Sequence, residues 1–332
     1  VISICSLILF KFGVQVRHGF CQQCTIIWIC SSTIINKTID DGIQNTAAEF
    51  TRKNQKTSGQ TFMHQPIKGE WQTFAWADVE HQARCIASGL LAQGYQADSR
   101  IGILSKNCAQ WIIADLAIMM AGMISVPIYA TAGADTISHI IDHADIRAIF
   151  VGNLDCTNAA EESISDDILQ ISLPNSAIST KQTWNDWLDQ YPRLEDIHAP
   201  QLNDIATIIY TSGTTGVPKG VLLSHLNWSS AALSTAQIAN ITAQDRMMSY
   251  MPLAHIIERS FTAVALYSGM QIFFVESVAS FIENVKYAKP TAFVSVPRLW
   301  TNFQSKILAT MPDKKLQRLL RFPLIGKFVS YK

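Results

Sequence analysis

The stretch RIGILSKNCAQWIIADLAIMMAGMISVPIYATAGADTISHIIDHADIRAIFVG, residues 100–152, decides the fold of this chain. Three short apolar runs (RIGILS, ISVPIYA and RAIFVG) alternate with two longer segments that have helical spacing. The runs are continuously apolar, which is typical of strands buried on both faces of a sheet. Strands that alternate with helices in this way predict an α/β fold with a mostly parallel sheet flanked by helices. No G-x-G-x-x-G follows any of these strands, so the dinucleotide-binding fingerprint is missing.

The same pattern extends in both directions from this stretch. Residues 73–95 have apolar side chains at helical spacing and end near Gly94, a typical C-terminal cap. Residues 152–200 are polar and acidic with three prolines, and they lead to a boundary near residue 201. Strand and helix patterns then resume in MMSYMPL, SFTAVALYSG, MQIFFVE, FIENVKYAK and TAFVSV. We therefore predict one α/β subdomain over residues 36–200 and a second over residues 201–332.

Residues 1–35 differ from the rest of the chain, since they are apolar and rich in cysteine. The chain begins with Val1, and its first methionine is Met63. Three interpretations compete: a signal or anchor segment, an N-terminal strand region, and sequence read upstream of the true start. We favour the last, and we predict that residues 1–35 are not part of the fold.

Composition excludes some partners and favours a reducing compartment. The net charge is zero and 16% of residues are charged, so no overall field attracts nucleic acid. The seven cysteines are an odd number for a disulfide framework, which favours a cytoplasmic location. Cys21 and Cys24 have CxxC spacing, but only His18 lies nearby and a second cysteine pair is missing. Metal binding or redox chemistry at this pair is therefore not favoured.

Residues 208–220, IIYTSGTTGVPKG, form a loop rich in hydrogen-bond donors between two apolar runs. Glycines let the backbone approach a ligand closely, and successive N–H groups in such a turn can bind an anion. Four hydroxyls between Thr211 and Thr215 and the charge of Lys219 add to this, so the loop suits a polyphosphate. A Walker loop is disfavoured because Gly213 and Gly216 are only three apart and Gly220 follows the lysine. The alternative is a flexible surface linker, but the strands predicted on both sides of the loop argue against it.

Residues 210–220, YTSGTTGVPKG, closely resemble the phosphate-binding signature of the AMP-forming adenylate-forming superfamily. MPLAHIIERS (251–260), VSVPRLW (294–300) and residues 99–131 resemble segments of its long-chain fatty acyl-CoA synthetases. The resemblance covers residues 36–332. It implies the large N-terminal domain of this superfamily, here without its last subdomain and the small C-terminal domain.

The resemblance also implies a two-step ligase reaction. A fatty acid carboxylate attacks ATP to give acyl-adenylate and pyrophosphate, and the thiol of coenzyme A then displaces AMP. Magnesium is the expected metal, and Thr211 matches its hydroxyl ligand. The implied catalytic residues are Lys219, near the phosphates, and His255, which lines the acyl-adenylate pocket. The implied ATP-binding residues are Thr211, Ser212, Gly213, Thr214, Thr215, Gly216 and Lys219.

The sequence allows alternative roles for some of these residues. His255 could instead be an ordinary structural histidine, and Glu258 and Arg259 are either a helix-start ion pair or catalytic groups. The Y-G-x-T-E and T-G-D motifs of the family are missing between residues 221 and 332, so we expect a truncated chain with little activity alone. The basic segment 314–321 is a candidate for peripheral membrane contact or a solvated helix face. Oligomeric state is not predicted.

Two alternative functions remain. One is adenylation of another carboxylic acid, for a carrier protein or for coenzyme A. The other is a short nucleotide-binding protein without catalysis.

Overall fold

The computed structural model describes residues 46–212 and 216–295, the strand at residues 8–11, and the single residues 301, 305 and 309. The chain divides into two compact units, Ile29–Ala292 and the pair of segments Val1–Trp28 and Phe293–Lys332. Most of residues 1–35 and the basic segment 314–321 lie outside the described residues. Their predicted roles stay predictions.

The described helices separate most of the strands. In chain order they are α1 (Thr46–Thr57), α2 (Trp76–Ala92), α3 (Ala109–Met120), α4 (Ala134–Ala144), α5 (Asn158–Ser163), α6 (Trp184–Gln190), α7 (His225–Ile238), α8 (Ile256–Ser268) and α9 (Phe281–Ala288).

The described strands are β1 (Ile8–Lys11), β2 (Thr61–Ile67), β3 (Glu70–Ala75), β4 (Arg100–Leu104), β5 (Ile124–Ile128), β6 (Ile146–Val151), β7 (Leu169–Ser172), β8 (Gln182–Thr183), β9 (Ile205–Ser212), β10 (Pro218–Ser224), β11 (Arg246–Ser249), β12 (Gln271–Phe274) and β13 (Ala292–Ser295).

The larger sheet has seven strands in the order β10–β9–β5–β4–β6–β7–β8. Every neighbouring pair is parallel except β9 and β10, which form an antiparallel hairpin at one edge. The parallel α/β fold predicted from residues 100–152 is therefore confirmed.

A smaller sheet contains β11, β12, β2 and β3 in that order. The first three strands are parallel, and β3 returns antiparallel to β2. Ala292, the first residue of β13, pairs with Met247 of β11. The strand order crosses the boundary predicted near residue 201, because β9 and β10 join β4–β8 while β2 and β3 join β11 and β12.

Helix α3 lies between the two sheets, where it contacts β4 and β5 of the larger sheet and β2 of the smaller one. All twelve of its residues are buried. This explains its sequence, AQWIIADLAIMM, since a helix that is apolar nearly all round is buried on every side. Its one acidic residue, Asp115, is buried with the rest and becomes important at the functional site.

Candidate functional site

The hairpin of β9 and β10 carries the phosphate-loop signature. Lys219 pairs directly with Thr211 across the two strands, and both side chains are exposed. Directly opposed residues of an antiparallel pair lie on one face of the sheet, with Cβ atoms about 5 Å apart. The structure therefore places Lys219 and Thr211, which were predicted to act on the phosphates, side by side on one face of the hairpin.

Glycines shape the rest of the hairpin. Gly216 is exposed and has a φ of +85°, a conformation that L side chains rarely adopt. Gly220 lies opposite Tyr210, and a Cβ at Gly220 would sit 2.8 Å from Ile208 Cγ2 and 3.3 Å from Tyr210 Cζ. Gly220 therefore leaves room for the Tyr210 ring. Gly213, Thr214, Thr215 and the side chain of Ser212 lie outside the described residues, so their contact with ATP stays a prediction.

His255 is the N-cap residue of α8. Its Nδ1 accepts a hydrogen bond from the Ile257 N–H at 3.2 Å, and burial lowers the pKa of the imidazole. Both observations favour a neutral ring with its proton on Nε2, which can then donate to an oxygen of a ligand. Among the described residues, no hydrogen bond or ion pair joins His255 directly to Thr211 or Lys219.

Arg259 connects the first turn of α8 to the strand that leads into the loop. Its guanidinium forms an ion pair with Asp115 of α3, with Nε 3.2 Å from Oδ2. It also donates to the hydroxyl of Thr207 on β9 and, at 2.6 Å, to that of Ser125 on β5. Thr207 lies four residues before Thr211 and on the same face of β9, because side chains alternate along a strand.

The interpretation of Glu258 and Arg259 as a helix-start ion pair is wrong. The guanidinium of Arg259 pairs with Asp115, 144 residues away along the chain. Neighbouring residues on a helix point in different directions, so adjacent side chains do not face each other. Two indoles enclose the guanidinium: its central carbon lies 5.6 Å from the ring centroid of Trp111 and 5.0 Å from that of Trp228.

Glu258 is buried, and its surroundings favour the protonated acid. Burial raises the pKa of this carboxyl to about 8, against the opposing effect of hydrogen bonds from Ser249 and from the backbone of Tyr250 and Met251. At neutral pH the side chain is therefore mostly uncharged. Catalysis by a carboxylate at this position is not indicated.

Asn107 holds the turn that leads into α8. It lies just after β4, and its amide nitrogen donates to Ser249 Oγ at 3.0 Å and to the Met251 carbonyl at 2.6 Å. Its amide oxygen accepts from the Leu253 N–H at 2.9 Å. One side chain from the loop after β4 of the larger sheet therefore fixes the segment that follows β11 of the smaller sheet and ends at His255.

Asp115, Ser125, Thr207 and Asn107 were not predicted from the sequence. The alternation along β9 is the one signal that could have found Thr207, since Thr207 shares a face with Thr211. The partners of Arg259 come from α3, β5 and β9, which are far apart in the sequence, so spacing alone does not reveal them.

Thr211 is the residue predicted to bind magnesium. In the described part of the chain, no group of three or more histidine, cysteine or acidic side chains could hold a metal ion. The hydroxyl of Thr211 fits Mg²⁺ in type, because this ion takes oxygen ligands and usually binds through few protein groups together with phosphates. Magnesium is therefore expected at Thr211 only in a complex with a nucleotide, and it stays a prediction.

The helices in the described residues do not include one that is long and apolar enough to cross a membrane. The cysteines described are Cys85, Cys108 and Cys156, and all three are free thiols. The cysteines of the CxxC segment fall in the part of the chain that is not described.

Comparison with known proteins identifies the family. A model of the AMP-binding enzyme family matches residues 50–327. The chain is 34% identical over 256 residues to "Long chain acyl-CoA synthetase 7, peroxisomal" of Arabidopsis thaliana, covering 73% of this chain and 36% of that protein. It is 29% identical over 279 residues to "Fatty acyl-CoA synthetase A" of Dictyostelium discoideum, covering 76% of this chain and 40% of that protein.

Solved structures support the same fold. The long-chain-fatty-acid-CoA ligase of Archaeoglobus fulgidus superposes with a TM-score of 0.65 at 18% identity, covering 74% of this chain and 50% of that one. The match to the Arabidopsis and Dictyostelium relatives spans about two fifths of the length of each of those proteins. The family match covers most of the chain, and the site lies inside it. The chain belongs to the AMP-binding enzyme family.

Proposed function

We propose that this chain provides the phosphate-binding half of a long-chain fatty acid–CoA ligase that uses ATP. The observation that carries this is the pairing of Lys219 with Thr211 at the loop end of the β9–β10 hairpin, within a family match over residues 50–327. The names of the relatives support long-chain acids as the substrate class. Coenzyme A as acceptor of the acyl group is proposed on the same ground.

The first half-reaction brings two anions together, since a carboxylate attacks the α-phosphate of ATP. Fixed positive charge and donors offset this repulsion. Lys219 is exposed on the hairpin and can place its ammonium group against the phosphates, next to the Thr211 hydroxyl. Magnesium, when bound with the nucleotide, would neutralise further phosphate charge, and Thr211 would supply one of its oxygen ligands.

His255 has a separate role in this proposal. Its Nδ1 is occupied by the Ile257 N–H, so Nε2–H is the group that faces a ligand as a donor. A neutral imidazole can donate to a phosphate or carboxylate oxygen without neutralising the attacking carboxylate. Arg259 and Asn107 fix the two ends of the segment that carries His255, which keeps this donor in place.

Binding of MgATP tests the proposed role of Lys219. We expect Lys219→Met to weaken MgATP binding by about 10- to 100-fold, because hydrogen bonds to charged groups are worth about 1.5–3 kcal/mol. Isothermal titration calorimetry on the 332-residue chain measures this. Lys286→Met, which removes an exposed lysine on α9, is the matched control and should bind normally. Equal affinity of Lys219→Met and the unaltered chain would contradict the proposal.

Turnover separates the remaining alternatives. We propose that the 332-residue chain alone has little or no ligase activity, because it lacks the Y-G-x-T-E and T-G-D motifs. Robust palmitate-dependent exchange of pyrophosphate into ATP by the purified chain would contradict this. Exchange that depends on an amino acid or a short acid instead of palmitate would favour adenylation of another carboxylic acid. MgATP binding without exchange in any longer form of the chain would favour a nucleotide-binding protein.

A further inference from the structure

Helix α4 carries two histidines that contact the phosphate-loop hairpin. His139 and His143 are four residues apart, so they lie on one side of the helix. The Nε2 of His139 is 3.1 Å from the carbonyl oxygen of Pro218, and the Nδ1 of His143 is 2.7 Å from the Tyr210 hydroxyl. Because a carbonyl can only accept, His139 is the donor in the first contact.

The two contacts reach both strands at the mouth of the loop. Pro218 is the first residue of β10 and pairs with Ser212, the last residue of β9. Tyr210 lies two residues before Ser212, and its ring is edge-on to His143 and His139, with centroid distances of 5.7 and 6.5 Å. The helix therefore holds the strand that enters the loop and the strand that leaves it.

Burial does not explain these two histidines. The packing face of α4 consists of Ile137, Ile140, Ile141 and Ala144, all buried in the core. His139 is only half-buried and His143 is exposed. Their contribution to packing is small, whereas each has a specific polar partner on the hairpin.

We propose that His139 and His143 are positioning residues for the phosphate loop. They hold the two strands in the register that keeps Thr211 and Lys219 side by side. The strand β9 is then held on both faces, since Arg259 binds Thr207 on one face and His143 binds Tyr210 on the other. The identity of the ligand that the loop binds rests on the proposed function. The contacts by which the two histidines hold the hairpin do not depend on it.

Backbone hydrogen exchange of the 332-residue chain tests this hold without any ligand. We expect His139→Leu and Tyr210→Phe to speed exchange in the peptide that spans residues 208–220 by about five- to tenfold, the effect of losing one hydrogen bond of ordinary strength. Tyr210→Phe removes the hydroxyl and keeps the ring. Exchange in α4 should stay unchanged in both variants, which separates this effect from general unfolding.

Two further variants serve as controls. His139→Gln keeps a side-chain N–H that can reach the Pro218 carbonyl, so it should restore slow exchange. His81→Leu removes an exposed histidine of α2 whose ring lies near Cys85 on the same helix, and it should behave like the unaltered chain. Slow exchange at residues 208–220 in both His139→Leu and Tyr210→Phe would overturn the proposal.

Titration with MgATP and with inorganic pyrophosphate then tests whether the contacts of the histidines with the hairpin affect the affinity for phosphates. We expect His139→Leu to weaken both by about five- to tenfold and His139→Gln to recover most of the affinity. Faster exchange with unchanged affinity would overturn the claim that the histidines position the loop for phosphates. Failure of the unaltered chain to bind either probe would count against the proposed function, whereas the exchange result alone decides whether the histidines hold the hairpin.

Discussion

Arg259 is a buried charge, and the side chains around it offset the cost of burying it. Asp115 neutralises it, two hydroxyls accept two further hydrogens, and two indoles cover its faces. Burying an ionised group is costly unless it is paired and hydrogen-bonded. The arrangement therefore depends on both members of the pair, and a change in either one should be severe.

We expect Arg259→Met to lower the free energy of unfolding by about 3–5 kcal/mol, because it leaves the Asp115 carboxylate buried without a partner. The double variant Asp115→Leu/Arg259→Met should recover a large part of this loss. Urea unfolding measures both. Lys286→Met breaks an exposed pair with Glu283 and should cost less than about 1 kcal/mol. Similar losses in Arg259→Met and Lys286→Met would refute this account of Arg259.

Glu258 makes the stability of the chain depend on pH. Its pKa in the folded protein is about 8, against a usual value of 4.5. Below pH 4.5 the acid is protonated whether the chain is folded or not. Between pH 4.5 and about 8 the unfolded chain loses this proton while the folded chain keeps it, so stability falls as pH rises.

We expect Glu258→Gln to remove this contribution. The quantity to follow is the free energy of unfolding of Glu258→Gln minus that of the unaltered chain. This difference should rise between pH 4.5 and 8 by an amount on the order of a few kcal/mol, and then level off. Urea unfolding at a series of pH values gives the difference curve. A flat difference curve would show that Glu258 is ionised in the folded chain.

At the scale of elements, the β9–β10 hairpin depends on close contact between its strands. The Tyr210 ring lies across Gly220, and the next residue along β10, Val221, pairs with Ile209. The apolar runs on both sides of the loop predict two strands. They do not predict that the glycine at the end of the signature makes room for the tyrosine at its start, because that depends on the register.

We expect Gly220→Ala to destabilise the chain by about 1–3 kcal/mol, since the added methyl group would overlap Ile208 Cγ2. Gly59→Ala is the matched control, because a Cβ at Gly59 meets no atom within 4 Å and its φ is not positive. The shift of the urea midpoint measures both changes. An unchanged urea midpoint for Gly220→Ala would mean that the two strands of the hairpin can move apart at little cost in free energy.

Most helices and strands could be predicted because their apolar spacing is strong, as in α3 and β4–β6. Helix α1 could not, because its sequence TAAEFTRKNQKT is largely polar. An apolar run indicates a strand but does not indicate which strand lies next to it in the sheet. The pairing of β2 with β12, more than 200 residues apart in sequence, was therefore not predicted. The loop residues were predicted from a signature, whereas Asn107, Asp115 and the two histidines of α4 become visible only in three dimensions.

At the scale of the whole Ile29–Ala292 unit, Asn107 joins the two sheets. We expect Asn107→Ala to lower the free energy of unfolding by about 1–3 kcal/mol, because the Leu253 N–H loses its partner. Asn153→Ala, at an exposed asparagine in the loop after β6, should be close to neutral. Urea unfolding followed by circular dichroism and by tryptophan fluorescence checks this. Equal stability of both variants would show that the hydrogen bonds of Asn107 contribute little to the stability of the chain.

The direct pairing of Thr211 with Lys219 also depends on where the lysine stands along β10. Side chains alternate between the two faces of a strand, so a shift of register by one residue moves every side chain of β10 to the opposite face. A single residue inserted into β10 between Lys219 and Leu223 would then either carry Lys219 to the face away from Thr211 or force a bulge. The number of residues between Lys219 and the end of β10 is therefore as much a part of the site as their chemistry, and a change of that number by one is a larger change than most substitutions in the strand.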